Sequence, residues 1–253
     1  MIRSVVAVGT LLVVTLILAP TVLVAAMLGI KEKPGSIYER CMRLWARSMS
    51  RAAGVRVVVH GGEHVQHGAI YMQNHVSWFD IFAVASVLPR YTFVAKAELR
   101  KIPLFGRAAE AAGIVFIDRD NRKSAFESYK VAAAEVQRGR NVVVCPEGTR
   151  GRDYHLRPFK KGPFVLAIAA GAPVVPVVVY GALEVMRKGS LRVRPNVVHV
   201  HFLEPVPTAG YTYEDRTALM RLVWQRMADA MRELYEVRTN EYPIAKEKER
   251  KEA

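Results

Sequence analysis

Ala-Ile-Tyr-Met-Gln-Asn-His-Val-Ser-Trp-Phe-Asp (residues 69–80) carries the strongest structural signal in this chain, an apolar run typical of a buried strand that leads into a helix start. His75 and Asp80 are five apart, and residues at that spacing in one helix do not share a face. At a strand-to-helix corner, however, the two side chains can meet. The segment therefore predicts a histidine paired with a carboxylate. A second interpretation stays open, since Ser77 can cap the helix in a capping box with Asp80, leaving His75 only a neighbour.

Strand-like runs recur on both sides of this corner and alternate in part with helical stretches. Strands are predicted at residues 55–60, 69–73, 92–95, 114–117, 142–145, 174–180 and 197–203. Helices are predicted at residues 77–88, 98–112, 124–138, 161–170 and 213–235. This alternation is typical of an α/β fold with a largely parallel mixed sheet flanked by helices. Carboxyl ends of strands are where such sheets build sites, and strand 142–145 runs directly into Pro-Glu-Gly-Thr-Arg at 146–150.

The N-terminal segment has the composition of a membrane element. Residues 4–30 carry no charged side chain, and as one helix, at about 1.5 Å per residue, they would slightly exceed a hydrocarbon core of about 30 Å. A secretory signal is the alternative, but its apolar region normally has only about 7–15 residues. We therefore expect a retained anchor. Pro20 can kink it, so spanning the bilayer and dipping into one leaflet both stay open.

The next segment, residues 36–53, has the pattern of an amphipathic helix. Four arginines recur at helical spacing, at positions 40, 43, 47 and 51, while Met42, Trp45 and Met49 lie on another face. A calmodulin-type or other partner helix is the competing interpretation. Next to an apolar anchor, we expect membrane docking, with the basic side in the cytoplasm. The predicted organisation is a two-helix membrane anchor at 1–53, an α/β domain at 54–240 and a charged tail at 241–253.

The charge balance narrows the class of partner. The chain has 37 Lys and Arg against 23 Asp and Glu, a formal net charge of +14. Such a charge also suits nucleic acid, but the sequence contains no zinc-finger spacing, no aromatic ribonucleoprotein motif and no basic-zipper heptads. Anionic lipid or an acidic carrier protein accounts for it equally well. A basic membrane- or nucleic-acid-binding protein is the alternative from a different class.

Neither a disulfide framework nor a metal site is expected. The chain has two cysteines, which is typical of a reducing compartment. His60, His64 and His67 fall around glycines in a turn, and His199 and His201 share one face of a strand. No cysteine or carboxylate completes a recognisable ligand set around either group.

Four ordered blocks lie between residues 74 and 177. They comprise His75 and Asp80; Lys96, Leu99, Ile102, Pro103 and Gly106 with Phe116, Ile117 and Arg119; residues 146–150; and residues 175–177. In this order they resemble the glycerolipid acyltransferases, especially the 1-acyl-sn-glycerol-3-phosphate acyltransferases, whose first block is His-x4-Asp. Two positions depart from the family's usual Phe-Pro-Glu-Gly-Thr-Arg-Ser, namely Cys145 for Phe and Gly151 for Ser.

The resemblance implies an enzyme of phospholipid biosynthesis at the inner membrane, with its catalytic domain on the cytoplasmic face. It would move a fatty acyl group from acyl-ACP or acyl-CoA to the sn-2 hydroxyl of lysophosphatidic acid, giving phosphatidic acid without a further cofactor. Glycerol-3-phosphate or another lysolipid is the alternative acceptor. The expected partners are the bilayer, the lysolipid and the thioester donor, with no nucleic acid and no metal.

The residues of these blocks also suit the chemistry. Neutral His75 is a suitable base for the acceptor hydroxyl, and Asp80 would hold its tautomer and stabilise the imidazolium, so no covalent acyl-enzyme is needed. Lys96 and Arg150 would clamp the acceptor phosphate, with Arg119 a third candidate. By resemblance, the acceptor-binding turn comprises Glu147, Gly148 and Thr149.

Overall fold

The computed structural model describes residues 1–118 and 121–239. Arg119 and the predicted charged tail at 241–253 lie outside the described residues. Within them, one sheet contains every strand. The strands are β1 (Val55–His60), β2 (Ile70–Gln73), β3 (Tyr91–Lys96), β4 (Val115–Ile117), β5 (Asn141–Val144), β6 (Val174–Tyr180) and β7 (Asn196–Phe202). Each end lies within one residue of its predicted position.

The sheet has the spatial order β1-β7-β6-β2-β5-β3-β4. Strands β6, β2, β5, β3 and β4 pair in parallel, whereas β7 is antiparallel to β6 and parallel to β1. The prediction of a mixed, largely parallel sheet is therefore confirmed. All side chains of β2 and β5 are buried, because helices cover both faces of the sheet. That is why these strands have apolar runs rather than an alternating pattern.

Eight α-helices surround the sheet in the described residues. They are α1 (Ile2–Met27), α2 (Ile37–Ala53), α3 (Trp78–Val87), α4 (Phe105–Ala111), α5 (Arg122–Gln137), α6 (Gly162–Ala170), α7 (Ala182–Val185) and α8 (Arg216–Tyr235). Helices α1 to α4 pack together on one face, while α5, α6 and α8 cover the other. The helix predicted at 98–112 is divided into a 3-10 turn, Ala97–Lys101, and α4. Pro103 lies in the break, where its missing N–H and fixed φ disfavour a continuous helix. Helix α7 was not predicted.

Helix α1 lies against the rest of the protein along its length. Near its start, the Ser4 hydroxyl accepts a hydrogen bond from the Val193 N–H at 2.9 Å, and in its middle the Thr15 hydroxyl accepts one from the Trp45 indole at 2.9 Å. Near its end, Val22 is buried in a cluster with residues of α2 and α4. Its other face exposes large apolar side chains, and by length and composition α1 could cross a membrane.

Helix α2 is amphipathic as predicted, but its apolar face is buried against the protein. Ala46 and Met49 belong to the main hydrophobic core, and α3 supplies much of the surface that covers them. The sequence pattern could not distinguish a bilayer from this internal partner. Among the arginines, Arg43 pairs with Glu39 at 2.6 Å, and Arg47 donates to the Ser86 carbonyl at 3.2 Å.

Candidate active site

The sequence blocks converge on one edge of the sheet. Strands β2, β5, β3 and β4 are consecutive in the sheet and parallel, so their carboxyl ends meet at the same edge. His75 follows β2, residues 146–150 follow β5, and Lys96 ends β3. Blocks that are far apart in sequence are therefore neighbours at the edge where α/β sheets bind ligands.

His75 and Asp80 form a hydrogen-bonded pair. The Nδ1 atom of His75 lies 3.0 and 3.1 Å from the two carboxylate oxygens of Asp80. The Asp80 side chain is fully buried, whereas that of His75 is 16% exposed. Because the carboxylate occupies Nδ1, Nε2 is the ring nitrogen left to act on a ligand.

Asp80 accepts further hydrogen bonds that hold its carboxylate rigidly. Its Oδ2 accepts from the backbone N–H groups of Val76 and Ser77, each at 2.8 Å, and its Oδ1 accepts from the Gln73 amide at 3.3 Å. Ser77 is the N-cap of α3 and completes the capping box. The two interpretations of this segment therefore hold together, since the capping box orients the carboxylate that holds His75.

Glu147 positions the backbone of His75. Its buried carboxylate accepts from the His75 N–H at 2.9 Å and from the Arg157 guanidinium at 3.2 Å, while the His75 carbonyl accepts from the Gly151 N–H at 2.6 Å. Burial raises the pKa of Glu147, and the His75 N–H and the Arg157 charge oppose that rise. The family resemblance predicts that Glu147 binds the acceptor; in the structure its carboxylate oxygens accept from these two groups of the protein.

The turn after Glu147 is tightly constrained. Gly148 has φ of +77°, a backbone conformation that favours glycine, and its N–H donates to the Cys145 carbonyl at 3.0 Å. A Cβ on Gly151 would lie 2.9 Å from the carbonyl oxygen of Asp153, so the turn leaves little room for the serine usual in the related family. Glycine in place of the family's serine at position 151 fits this close approach of the backbone.

Two cations outside the sequence blocks support the same turn. Arg157, besides binding Glu147, donates to the Thr149 carbonyl. Lys188 donates to the Arg150 carbonyl at 3.0 Å and to the Thr149 hydroxyl at 3.4 Å. Sequence reasoning missed Arg157 and Lys188. In a chain with many basic residues, no local pattern distinguishes them, and only the fold brings them to the turn.

Two of the predicted phosphate ligands lie near the carboxyl ends of neighbouring strands, Lys96 at the end of β3 and Arg150 in the turn after β5. The Arg150 guanidinium lies over the Trp78 ring, 4.8 Å from its centroid. Lys96 lies one strand beyond β5, is 56% exposed and pairs with Glu98 at 2.5 Å. Both cations are thus placed at the same edge as His75. Gly106, in the Lys96 block, packs against the Arg100 carbonyl with no space for a Cβ, so its role is structural.

An apolar cavity of about 160 Å³ lies beneath this edge, between the sheet and helices α1 to α4. Trp78, which contacts Arg150, lines its upper end. Tyr91 begins β3 and Ala112 precedes β4, so these two lining residues lie toward the amino ends of the strands, away from the carboxyl edge. The walls are almost entirely hydrocarbon, which suits an aliphatic chain.

The histidines treated separately in the sequence analysis come together elsewhere in the sheet. Strands β1 and β7 place His60 opposite His201, with His199 two residues away on the same face. Burial and the two neighbouring imidazoles lower the pKa of His201 to about 4. Within the described residues, these three form the group of metal-ligating side chains, and His64 and His67 are not part of it.

Comparisons with known proteins agree with this architecture. The model of a family described as acyltransferase matches residues 56–180. The 1-acyl-sn-glycerol-3-phosphate acyltransferase of Limnanthes douglasii is 38% identical over 64% of this chain and 58% of its own length. The human 1-acyl-sn-glycerol-3-phosphate acyltransferase alpha is 34% identical over 77% of this chain and 70% of its own length. The alignment with the plant relative thus spans little more than half of that protein.

The fold also has a solved counterpart. The crystal structure of the 1-acyl-sn-glycerophosphate (LPA) acyltransferase PlsC from Thermotoga maritima superposes with a TM-score of 0.75. The match covers 94% of this chain and 99% of that one at 24% identity. The family model and the curated relatives identify the chain as an acyltransferase. More closely, the chain belongs to the family of 1-acyl-sn-glycerol-3-phosphate acyltransferases.

Proposed function

We propose that this protein transfers a fatty acyl group from acyl-ACP or acyl-CoA to the sn-2 hydroxyl of 1-acyl-sn-glycerol-3-phosphate, giving phosphatidic acid for phospholipid synthesis. The single observation that carries the proposal is His75, paired through Nδ1 with the buried carboxylate of Asp80 at the carboxyl edge of the sheet. The names of the relatives supply the reaction class.

In this mechanism, Nε2 of His75 removes the proton of the acceptor hydroxyl as the oxygen attacks the thioester carbonyl. The hydroxyl takes the place of serine in a catalytic triad, so no acyl-enzyme forms. Asp80 keeps Nδ1 protonated and stabilises the imidazolium, which then returns the proton to the thiolate as the C–S bond breaks. General-base help of this kind is worth about 10²–10⁴ in rate, and positioning of the two substrates supplies the rest.

The acceptor phosphate is the group by which the substrate is positioned. Lys96 ends β3 and Arg150 lies in the turn after β5, near the mouth of the apolar cavity. Arg119, outside the described residues, is proposed as a third phosphate ligand. Gly148 and Thr149 shape the turn that presents Arg150.

Removing either phosphate ligand gives a specific kinetic prediction. We expect Lys96→Ala or Arg150→Ala to raise the acceptor KM roughly 10- to 150-fold, because each loses a charge-assisted hydrogen bond worth about 1.5–3 kcal/mol. The donor KM should stay unchanged. Steady-state kinetics with each substrate varied in turn measure both. The exposed cations Lys101 and Arg152 provide matched controls, and equal rises in both KM values would contradict the phosphate assignment.

The apolar cavity is proposed to hold an acyl chain. Ala112→Leu adds bulk at the end of the cavity away from the carboxyl edge of the sheet, so longer chains should lose about 0.8 kcal/mol for each excluded methylene, a roughly fourfold fall in kcat/KM. Competition among donors of increasing chain length measures this preference. Val131→Leu on the exposed face of α5 is the control. A uniform loss of rate at every chain length would argue against the cavity as the chain site.

The N-terminal helix is proposed to dock the enzyme on the cytoplasmic face of the inner membrane. Helix α1 contacts the protein from Ser4 to Val22, while the opposite face exposes apolar side chains. A helix held in this way along its length is better suited to lie within one leaflet than to project across the bilayer. This orientation keeps the mouth of the cavity near the lipid from which the acceptor is drawn.

The direct test is formation of phosphatidic acid from lysophosphatidic acid by the full chain in detergent micelles. Parallel reactions with acyl-CoA and acyl-ACP identify the donor, and glycerol-3-phosphate or another lysolipid in place of the acceptor tests the alternatives. The expected result is that, of the acceptors tested with a donor, only lysophosphatidic acid gives product. Turnover of glycerol-3-phosphate without lysophosphatidic acid would change the acceptor, and no product with any pair would favour a binding protein.

A further inference from the structure

Three histidines meet on one face of the sheet, near its β1 edge and away from the acyltransferase site. His60 ends β1, the edge strand, while His199 and His201 belong to β7. Because β7 is separated from β2 by β6, the cluster and His75 lie at different strands of the sheet. The proposed acyl transfer makes no use of these imidazoles, so their convergence needs a separate explanation.

The ring nitrogens are close enough to share an ion. Nε2 of His60 lies 3.0 Å from Nδ1 of His199, so one of these two nitrogens donates a hydrogen bond to the other. One ligand nitrogen from each of the three histidines lies within 4.8 Å of the others. A metal ion that binds here takes the place of this hydrogen bond, and the ring that donates it shifts its proton to its other nitrogen, since each neutral imidazole has one N–H and one free lone pair.

The surroundings favour a transition metal over an alkaline-earth ion. The ligand atoms are imidazole nitrogens, which suit Zn²⁺, Ni²⁺ and Cu²⁺, and no carboxylate belongs to the group within the described residues. Nε2 of His201 bonds to the Tyr235 hydroxyl at 2.5 Å. Hydrogen bonding of a second ring nitrogen to a protein group is how metal-ligating histidines are usually oriented. Because Nε2 of His201 bonds to Tyr235, Nδ1 is the nitrogen of this ring that is left to bind the ion.

Closing the site requires a small rotation rather than a new fold. Zinc–nitrogen bonds of about 2.0–2.1 Å in a tetrahedron bring ligand nitrogens closer than the present span. The ring of His60 is stacked on that of His201, with centroids 4.2 Å apart, and must turn to aim its nitrogen at a shared ion. His60 is exposed at the end of the edge strand, so its side chain has space to rotate.

We propose that His60, His199 and His201 form a binding site for one divalent transition-metal ion of the zinc type, with water in the fourth position. Bound there, the ion links the edge strand β1 to β7 and stabilises that side of the sheet. The site is separate from the acyl-transfer chemistry. Its occupancy therefore changes stability, and it is tested without any assay of acyl transfer.

The experiment is equilibrium binding of Zn²⁺ to the full chain, prepared in detergent without a histidine tag. We expect one tightly bound ion per chain and a rise of roughly 5–10 °C in Tm at a hundredfold excess of free Zn²⁺ over Kd. His60→Ala and His199→Ala should each abolish the stoichiometric zinc binding and the rise in Tm. The matched control is His64→Ala, which removes a nearby histidine outside the group and should retain both.

Other outcomes would overturn the proposal. Less than one ion per chain, or binding that survives His60→Ala, would mean that the zinc is adventitious or bound elsewhere. If zinc raised the Tm of His60→Ala as much as that of the unaltered chain, the zinc would likewise be bound elsewhere. Because His60 and His199 are not fully buried, their variants should remain folded, and an unchanged Tm without zinc verifies this.

Discussion

Replacing His75 by alanine is expected to lower the rate of phosphatidic acid formation by about 10²–10⁴, the full contribution of a general base. Substrate binding should change little, because the residues proposed to hold the acceptor phosphate and the acyl chain are not altered. The loss should therefore appear in kcat rather than in either KM. Initial rates in detergent micelles, with each substrate varied in turn, measure this.

Asp80→Asn tests the second member of the pair. The amide keeps the size of the carboxylate but no longer holds Nδ1 of His75 protonated with a negative charge, so kcat should fall by a comparable factor. Asparagine is preferable to alanine, because alanine would leave the N–H groups of Val76 and Ser77 buried without their acceptor. His155→Ala, an exposed histidine beside the same turn, is the control and should leave the rate unchanged. Activity that survives His75→Ala would overturn the mechanism.

Glu147→Ala is expected to have the largest effect on stability, lowering the free energy of unfolding by about 2–4 kcal/mol. The change deprives the His75 N–H and Arg157 of a buried charged partner, and each such hydrogen bond is worth about 1.5–3 kcal/mol. Part of this lost free energy is recovered, because the Arg157 side chain is 35% exposed and water can replace Glu147 as its hydrogen-bond partner. Urea unfolding of the full chain in detergent measures the change.

The kcat and the acceptor KM of Glu147 variants distinguish a positioning role of this carboxylate from direct substrate binding. If the carboxylate only holds the backbone of His75, Glu147→Ala should lower kcat with little effect on the acceptor KM. Glu147→Gln keeps an oxygen that can accept from the His75 N–H and should retain more of kcat. Asp153→Ala, an exposed carboxylate in the same loop, is the matched control for both. A large rise in the acceptor KM for Glu147→Gln at unchanged kcat would instead support the predicted contact between Glu147 and the acceptor.

The local features of the site were accessible from the sequence. His75 and Asp80 lie within one strand-to-helix corner, so the local geometry of that corner brings the two side chains within hydrogen-bond distance. The strands were predictable for a similar reason. Buried parallel strands such as β5 are continuous apolar runs bounded by turn residues, and that signal is local.

The supports of the site were not accessible, because they depend on contacts between distant parts of the chain. Glu147 is 72 residues from the backbone N–H that it accepts from, and Lys188 is 38 residues from Arg150. Charged residues of these types are common here, and nothing nearby marks those with a structural partner. The apolar face of α2 illustrates the same limit, since its pattern suits a bilayer and a protein core equally well.

The sequence by itself determined the α/β architecture and the His75–Asp80 pair, since each follows from periodicity or spacing within short segments, and the resemblance of its motif blocks indicated the family. Only the tertiary structure decided that Glu147 holds His75, that helices α1 to α4 enclose an apolar cavity, and that His60 meets His199 and His201. The physical reason is strand pairing and helix packing, which place residues by their position across the sheet and not by their separation along the chain.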